Sequence, residues 1–179
     1  MATWKIDPDH SVASFAIRHM MITAIRGQFN SISGIIEFNP ADASGSSVAA
    51  EIDVKSLMTG NKKRDEHLFS ADFFEVERYP LITFKSTKVE KKESNNRGKI
   101  SGDLTIHGIT RLITMDVDYF GPVTSPKDLG GEMAIGFTTS LTVNRDDFGM
   151  LWNVPFGDNN LMVGKEVQIA LDIEADLAE

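Results

Sequence analysis

The feature that most constrains this chain is a two-residue alternation of apolar and polar side chains that recurs along its length, with a single apolar face each time. Ala13, Phe15, Ile17 and His19 share one parity against Ser14, Ala16 and Arg18, and Val48, Ala50, Ile52 and Val54 alternate with Ala49, Glu51 and Asp53. The pattern returns in Ile82 and Phe84, in Leu104 and Ile106, in Ile113, Met115, Val117 and Tyr119, and in Ile135, Phe137, Thr139, Leu141 and Val143. It is clearest in Val167, Ile169, Leu171 and Ile173, set against Glu166, Gln168, Asp172 and Glu174. Period two is the signature of a half-buried strand. Short turn clusters separate the segments, at Pro8, at Pro40 to Ser46, at KKESNNRG from Lys91 and at Gly108, and short links join antiparallel neighbours. About eight such strands with one wet face must bury the other face, either in two packed layers or by closing into a barrel.

Two segments break the alternation. The first, Leu57 to Pro80, opens with the helix-capping candidates Thr59, Gly60 and Asn61 and should carry a short helix. That helix has Leu68 on one side and Lys63, Asp65 and His67 on the other, and Pro80 ends the segment. Phe69, Phe73, Phe74 and Tyr79 are too many aromatics to leave in water, so the segment is expected to cover whatever the strands enclose. The second, Arg145 to Gly164, is a long connection rich in apolar residues, among them Phe148, Met150, Trp152 and Met162, and long loops of this kind are commonly functional. Two apolar flaps supply more apolar surface than a filled sandwich needs. The expectation is therefore an all-β fold, an antiparallel barrel of about eight strands with a covered mouth and a short helical lid between the fourth and fifth main strands.

Composition narrows the function. The 179 residues are enough for one domain with a sizeable core, taken as 1–179, and a balance of 18 basic against 26 acidic residues gives a net charge of −8. That charge disfavours nucleic acid and anionic membrane surfaces unless basic groups cluster locally, and the densest exposed basic run, Lys62, Lys63 and Arg64, reads as a solvated helix face. No run is long and apolar enough to span a membrane, so stable membrane insertion is not expected. No signal-peptide pattern opens the sequence, which reads as cytoplasmic as given and as periplasmic if it is a processed mature chain. The absence of cysteine excludes disulfides and thiol chemistry.

Catalytic motifs are missing. No nucleophile elbow, phosphate-binding glycine loop or dinucleotide fingerprint occurs. The four histidines, His10, His19, His67 and His107, lack metal-motif spacing, and no metal or cofactor is expected. Turn hydrogen bonds are the expected roles of His10 and His107. His19 shares parity with Phe15 and Ile17 and should face inward, as a core histidine or as a head-group contact. Arg64, Asp65 and His67 could form a charged catalytic cluster, although such a trio more often ties a helix to a neighbouring strand.

Several ordered stretches, DPDHSVASFAIRH, RDEHLFSADFFEVERYPLITFKST, GDLTIHGITR, NRDDFGM and VGKEVQIALDIEAD, resemble the YceI-like family over nearly the whole chain. The resemblance implies a lipocalin-like barrel that holds a long isoprenoid lipid, a polyprenyl chain or a quinone tail, and it raises a homodimer. The expected apolar lining is Phe15, Ile17, Phe38, Ile52, Leu68, Phe69, Phe73, Phe84, Leu104, Met115, Phe137, Leu141, Phe148, Trp152 and Ile169. Arg64, His67, Arg145 and Lys165 are head-group candidates by motif position, with His19 as the interior one. Carriage or sequestration of such a lipid is the leading expectation. An enzyme acting on a similar apolar substrate and a structural or partner-binding β-domain remain the alternatives.

Overall fold

The computed structural model describes residues 1–39, 42–91, 96–158 and 160–178, so parts of the turns expected at Pro40 to Ser46 and at KKESNNRG lie outside the described residues. Its strands are β1 (Ala2–Ile6), β2 (Val12–His19), β3 (Thr23–Phe29), β4 (Ile32–Phe38), β5 (Ser47–Asp53), β6 (Leu57–Met58), β7 (Leu81–Lys91), β8 (Arg97–Ile106), β9 (Ile109–Thr124), β10 (Met133–Asn144), β11 (Pro155–Phe156), β12 (Asn160–Leu161) and β13 (Val163–Leu177). A helix, α1 (Lys62–Phe69), lies between β6 and β7. All strands except β11 and β12 form one antiparallel sheet, and the pairing of β1 with β13 closes it.

Eight strands form the closed barrel because three neighbouring pairs are halves of bent strands. Both β1 and β2 pair with β13, Ile6 opposite Ala175 and Val12 opposite Asp172, on either side of a bend at Asp7–Ser11. Pro8 has no N–H to offer the ladder at that bend. A second bend, at Asn30 and Ser31, separates β3 from β4, and the turn of 3-10 helix Val54–Ser56 separates β5 from β6. The segments before and after the turn at Pro8 are thus one strand interrupted. Every barrel strand neighbours the next in sequence, the up-and-down order that short connections favour.

One end of the barrel carries the termini. Its floor is aromatic: the Phe38 ring meets Tyr119 at 5.2 Å and Phe137 at 5.5 Å, and Trp4 Nε1 donates to the Phe38 carbonyl at 3.3 Å. The opposite end carries the β2–β3 turn, α1 with residues 70–80, the β8–β9 turn, and residues 145–162. Asn61 caps α1, its Oδ1 accepting from the Arg64 N–H at 3.1 Å, as the sequence predicts for this stretch. No helix among the described residues is long and apolar enough to cross a membrane.

Candidate ligand cavity

The alternation read along the strands becomes the inner wall of a cavity of about 450 Å³, within the usual range for small-molecule sites. Phe15 and Ile17 from β2, Phe38 from β4, Ile52 from β5, Phe84 from β7, Leu104 from β8, Met115 from β9, Phe137 and Leu141 from β10 and Ile169 from β13 all line it. Each arrives there by the two-residue pleat, which sends alternate side chains to one face. The bare backbone of Gly27 shapes the wall beside Phe15, its partner across the β2–β3 ladder: a Cβ on Gly27 would stand 2.5 Å from Phe15 Cζ. Any larger residue would push that ring into the cavity.

The helix-bearing end is closed by side chains that meet from three segments. Trp152 of the long connection packs its ring 4.8 Å from His67 of α1 and 5.3 Å from Phe73, and all three line the cavity together with Leu68. His67 Nε2 lies 2.7 Å from Asp72 Oδ2. His107 holds the next layer. It sits with Gly108 at positive φ in the tight β8–β9 turn, where a Cβ on Gly108 would collide with the Tyr79 ring. Its Nδ1 donates to the Phe148 carbonyl at 3.1 Å, its Nε2 lies 3.5 Å from Glu75 Oε2, and its ring meets Tyr79 edge-on at 4.7 Å. One side chain thereby ties the β8–β9 turn to both covering segments. His107 does take the turn role expected of it, although its bond reaches a distant loop.

Five cationic or titratable side chains reach the cavity at this end: Arg18, His19, Arg64, His67 and Arg145. Arg145 is the deepest. It is only 3% exposed, and it donates through Nε to the Gly164 carbonyl at 2.9 Å and through Nη1 to the Met150 carbonyl. Burial lowers its proton affinity from the ordinary value, with the carboxylate of Asp146 opposing, and a guanidinium remains charged at neutral pH regardless. Neutral carbonyls orient that charge without cancelling it, and the carboxylate of Asp146 is shared with Lys165 Nζ at 2.7 Å. Arg64 is held differently, donating from Nε to Thr59 Oγ1 and from Nη2 to the Thr59 carbonyl, both at 2.8 Å. Thr59 Oγ1 in turn donates to Asp65, so Arg64 and Asp65 fasten α1 to the end of β6.

Three residues expected in the site do not line the cavity. Phe69 is one position past Leu68 on α1, which rotates it off the lining face, and it packs against the main core instead. Phe148 is buried within the 3-10 turn Arg145–Phe148, under the cap. Lys165 shares parity with Val167 and Ile169, yet the β2–β13 register shifts between Val163 and Val167, and this irregularity turns Lys165 outward to Asp146. In the other direction, Phe29 and Phe74, neither of them among the expected lining residues, line the cavity with their rings 5.8 Å apart edge-on. The bend just after Phe29 hides its parity. Leu171 and Ile173 were visible by alternation and also belong to the wall.

The bend between β1 and β2 gathers a second polar group. Ligand atoms of Asp7, His10 and Glu174 lie within 4.8 Å of one another. His10 Nδ1 bonds Asp7 Oδ2 at 2.6 Å, which accounts for the arrangement without an ion. Its distance in sequence kept Glu174 out of any spacing argument.

Comparison with known proteins places this geometry. A YceI-like domain profile matches residues 4–175. A UPF0312 protein of Staphylococcus aureus strain N315 is 32% identical over 179 residues, covering all of both chains. The crystal structure of Burkholderia cenocepacia BcnA superposes with a TM-score of 0.79 at 26% identity, over 94% of this chain and 98% of that one. The Campylobacter jejuni YCEI protein gives 0.73 at 29% identity over 90% of each. A polyisoprenoid-binding domain from Saccharophagus degradans gives 0.73 at 14% identity, over 99% of this chain and 100% of that one, a likeness of fold. With its profile matched from one end to the other and its barrel shared with solved relatives, the chain belongs to the YceI-like family.

Proposed function

We propose that the protein binds a long isoprenoid lipid, a polyprenyl phosphate or pyrophosphate or a quinone tail, inside the barrel, and carries or sequesters it. The observation that carries this reading is the cavity itself: an almost wholly apolar wall with one buried guanidinium, Arg145, at its capped end. At about 0.8 kcal/mol per buried CH₂, each five-carbon unit offers about 4 kcal/mol gross. Three or four units therefore match the upper range of what association and chain ordering cost, about 4–15 kcal/mol. Apolar burial supplies the affinity, and Arg145, with His19 and His67 nearer the rim, supplies preference for an anionic or carbonyl head group. The fold shared with a polyisoprenoid-binding domain supports the same ligand class.

Hydrolysis or isomerisation of such a lipid has weaker support, because Arg64 and Asp65 are engaged with Thr59 and His67 with Asp72. Native mass spectrometry of protein purified from its own host, followed by challenge with a prenyl phosphate, a prenol and a quinone, tests the proposal. A bound mass of isoprenoid class, or uptake of one of the three, is the expected result. Protein that is lipid-free and takes up none of them overturns it.

A further inference from the structure

The β2–β3 turn is built against the usual rules for a hairpin. Met20 and Met21 adopt φ of 50° and 61°, a region that favours Asn and Gly and penalises bulky side chains. The turn also exposes its apolar atoms, with Met21 57% and Ile22 79% accessible. A hairpin that needed only to reverse direction would be served better by Asn-Gly. The turn is anchored beside the cavity rim: the Met20 N–H donates to the Met162 carbonyl at 2.7 Å, and the Met162 N–H donates to the Val154 carbonyl at 3.0 Å. Met162 lines the cavity, as does His19 at the foot of the turn. Val154 and Leu151 add exposed apolar atoms on the neighbouring connection.

Charge on the hairpin itself runs opposite to that of the chain as a whole. No Asp or Glu occurs between Asp9 and Glu37, whereas Arg18 and Arg26 flank the turn, in a protein of net charge −8. Exposed Lys62 and Lys63 open α1 at the same end, next to Arg64 on the cavity. Acidic groups at this end are Asp65, bonded to Thr59, Asp72, bonded to His67, Glu75, beside His107, Glu77, paired with Lys55, Asp146, paired with Lys165, and the exposed Glu66, Asp147 and Asp158. An apolar tip with basic flanks matches the interface of an anionic bilayer, where apolar side chains enter the head-group boundary and cations meet lipid phosphates.

We infer that the Met20–Met21–Ile22 turn is a docking tip that seats the capped end of the barrel on an anionic membrane surface, so that lipid passes between bilayer and cavity at that end. This rests on the reading of the cavity as a lipid site and adds the surface from which that lipid comes. Peripheral seating of this kind involves no spanning segment.

Co-sedimentation with vesicles of phosphatidylglycerol and phosphatidylcholine, against vesicles of phosphatidylcholine alone, tests it. The wild-type protein partitions onto the anionic vesicles, and raised salt weakens the binding. The variant Met20→Asn/Met21→Gly/Ile22→Ser gives the turn residues suited to its backbone, so its melting temperature is unchanged or raised. Its partitioning falls about tenfold or more. Arg26→Gln combined with Lys62→Gln and Lys63→Gln reduces the preference for phosphatidylglycerol and leaves the melt unchanged. Uptake of a prenol from detergent solution, read by native mass spectrometry, is the same in wild type and turn variant. Absence of wild-type vesicle binding, or full binding by the turn variant, overturns the docking tip while leaving the cavity reading intact. Loss of prenol uptake in every form strikes the cavity reading instead. A dimer near twice 19.8 kDa in light scattering that the turn variant abolishes assigns the tip to contact between copies and overturns membrane docking.

Discussion

The wall of the barrel and its cap are held together by different physics. In the wall, cross-strand ladders run for many residues without a break, as between β10 and β13 from Ala134 to Asn144, and inward apolar side chains pack on one another. In the cap, an irregular backbone is fixed at a few polar points: His107 on Phe148, Arg145 on Gly164 and Met150, Arg64 on Thr59, and Asn153 on Val163. A wall of distributed contacts opens only with global unfolding, whereas a cap fixed at a few points can open locally. A ligand that must enter and leave needs that asymmetry. The cap is thus the part of the molecule whose stability is set by single residues, and changes in the two regions should differ in kind as well as size.

The largest effect belongs to the wall. Phe137 faces inward against Phe38, so Phe137→Asp buries a carboxylate with no partner, at a cost of several kcal/mol, comparable to the stability of a whole domain. Thr138, the next residue, faces the outer surface between Asp118 and Asp172 on the two neighbouring strands. An aspartate there would meet like charges, which makes Thr138→Lys the cleaner control, with a change within about 0.5 kcal/mol. Urea denaturation of the two variants compares the faces directly. Similar midpoints would mean that the wall does not have one buried and one wet side.

Next comes the buried end of the cap. Arg145→Met removes both hydrogen bonds and leaves the Gly164 and Met150 carbonyls without their donor, costing about 1–3 kcal/mol in chemical denaturation. The same change is expected to erase any preference for a prenyl phosphate over the corresponding prenol in competition, with prenol uptake retained. A preserved preference would assign head-group selection to the rim, at His19 or His67.

His107→Ala should cost less, about 1 kcal/mol for its hydrogen bond plus some packing on Tyr79. Its effect should be local. Hydrogen exchange is expected to speed up in residues 70–80 and 145–150, while amides in the middle of β8 and β9 keep their protection. Uniform acceleration through the barrel would mean that cap and wall unfold as one unit.

How much of this was legible in the sequence follows the same division. The wall could be read because alternation is a local code, and Phe15, Ile52, Met115 and Ile169 reach the cavity by parity alone. Where the pleat is interrupted the code fails, as at Lys165 beyond the β13 irregularity and at Phe29 beside the Asn30 bend. In the cap the types of residue were visible and their partners were not. Nothing about Arg145 in its linear context reveals that it will be buried against two carbonyls, and nothing near His107 indicates that it will reach Phe148. Such contacts are fixed by three segments meeting in space, and no periodicity in one segment encodes them.

The smallest effect concerns a polar contact of the cap's kind placed in the wall. At the β1–β2 bend the hydrogen bond from His10 to Asp7 raises the affinity of His10 for its proton, and the charges of Asp7, Glu174 and Asp9 act in the same direction. The same bond lowers the carboxyl of Asp7 from its ordinary value, against desolvation, and the Asp9 N–H assists. A raised histidine contributes stability that is fully present below its unfolded value, about 6.5, and that is lost as pH rises through the higher folded value. A lowered aspartate contributes stability that is present above its unfolded value, about 3.9, and that is lost as pH falls through the lower folded value. The pair therefore supports the bend most between those two values and weakens on both sides. Titration of the His10 ring by NMR is expected to give a midpoint above about 6.5, and Asp7→Asn should move it down toward the ordinary value. An unshifted His10 in the wild-type protein would mean that the bend is held by its backbone contacts alone, such as the Asp7 N–H on the Glu174 carbonyl at 2.9 Å. The wall would then be free of the single-residue dependence that defines the cap.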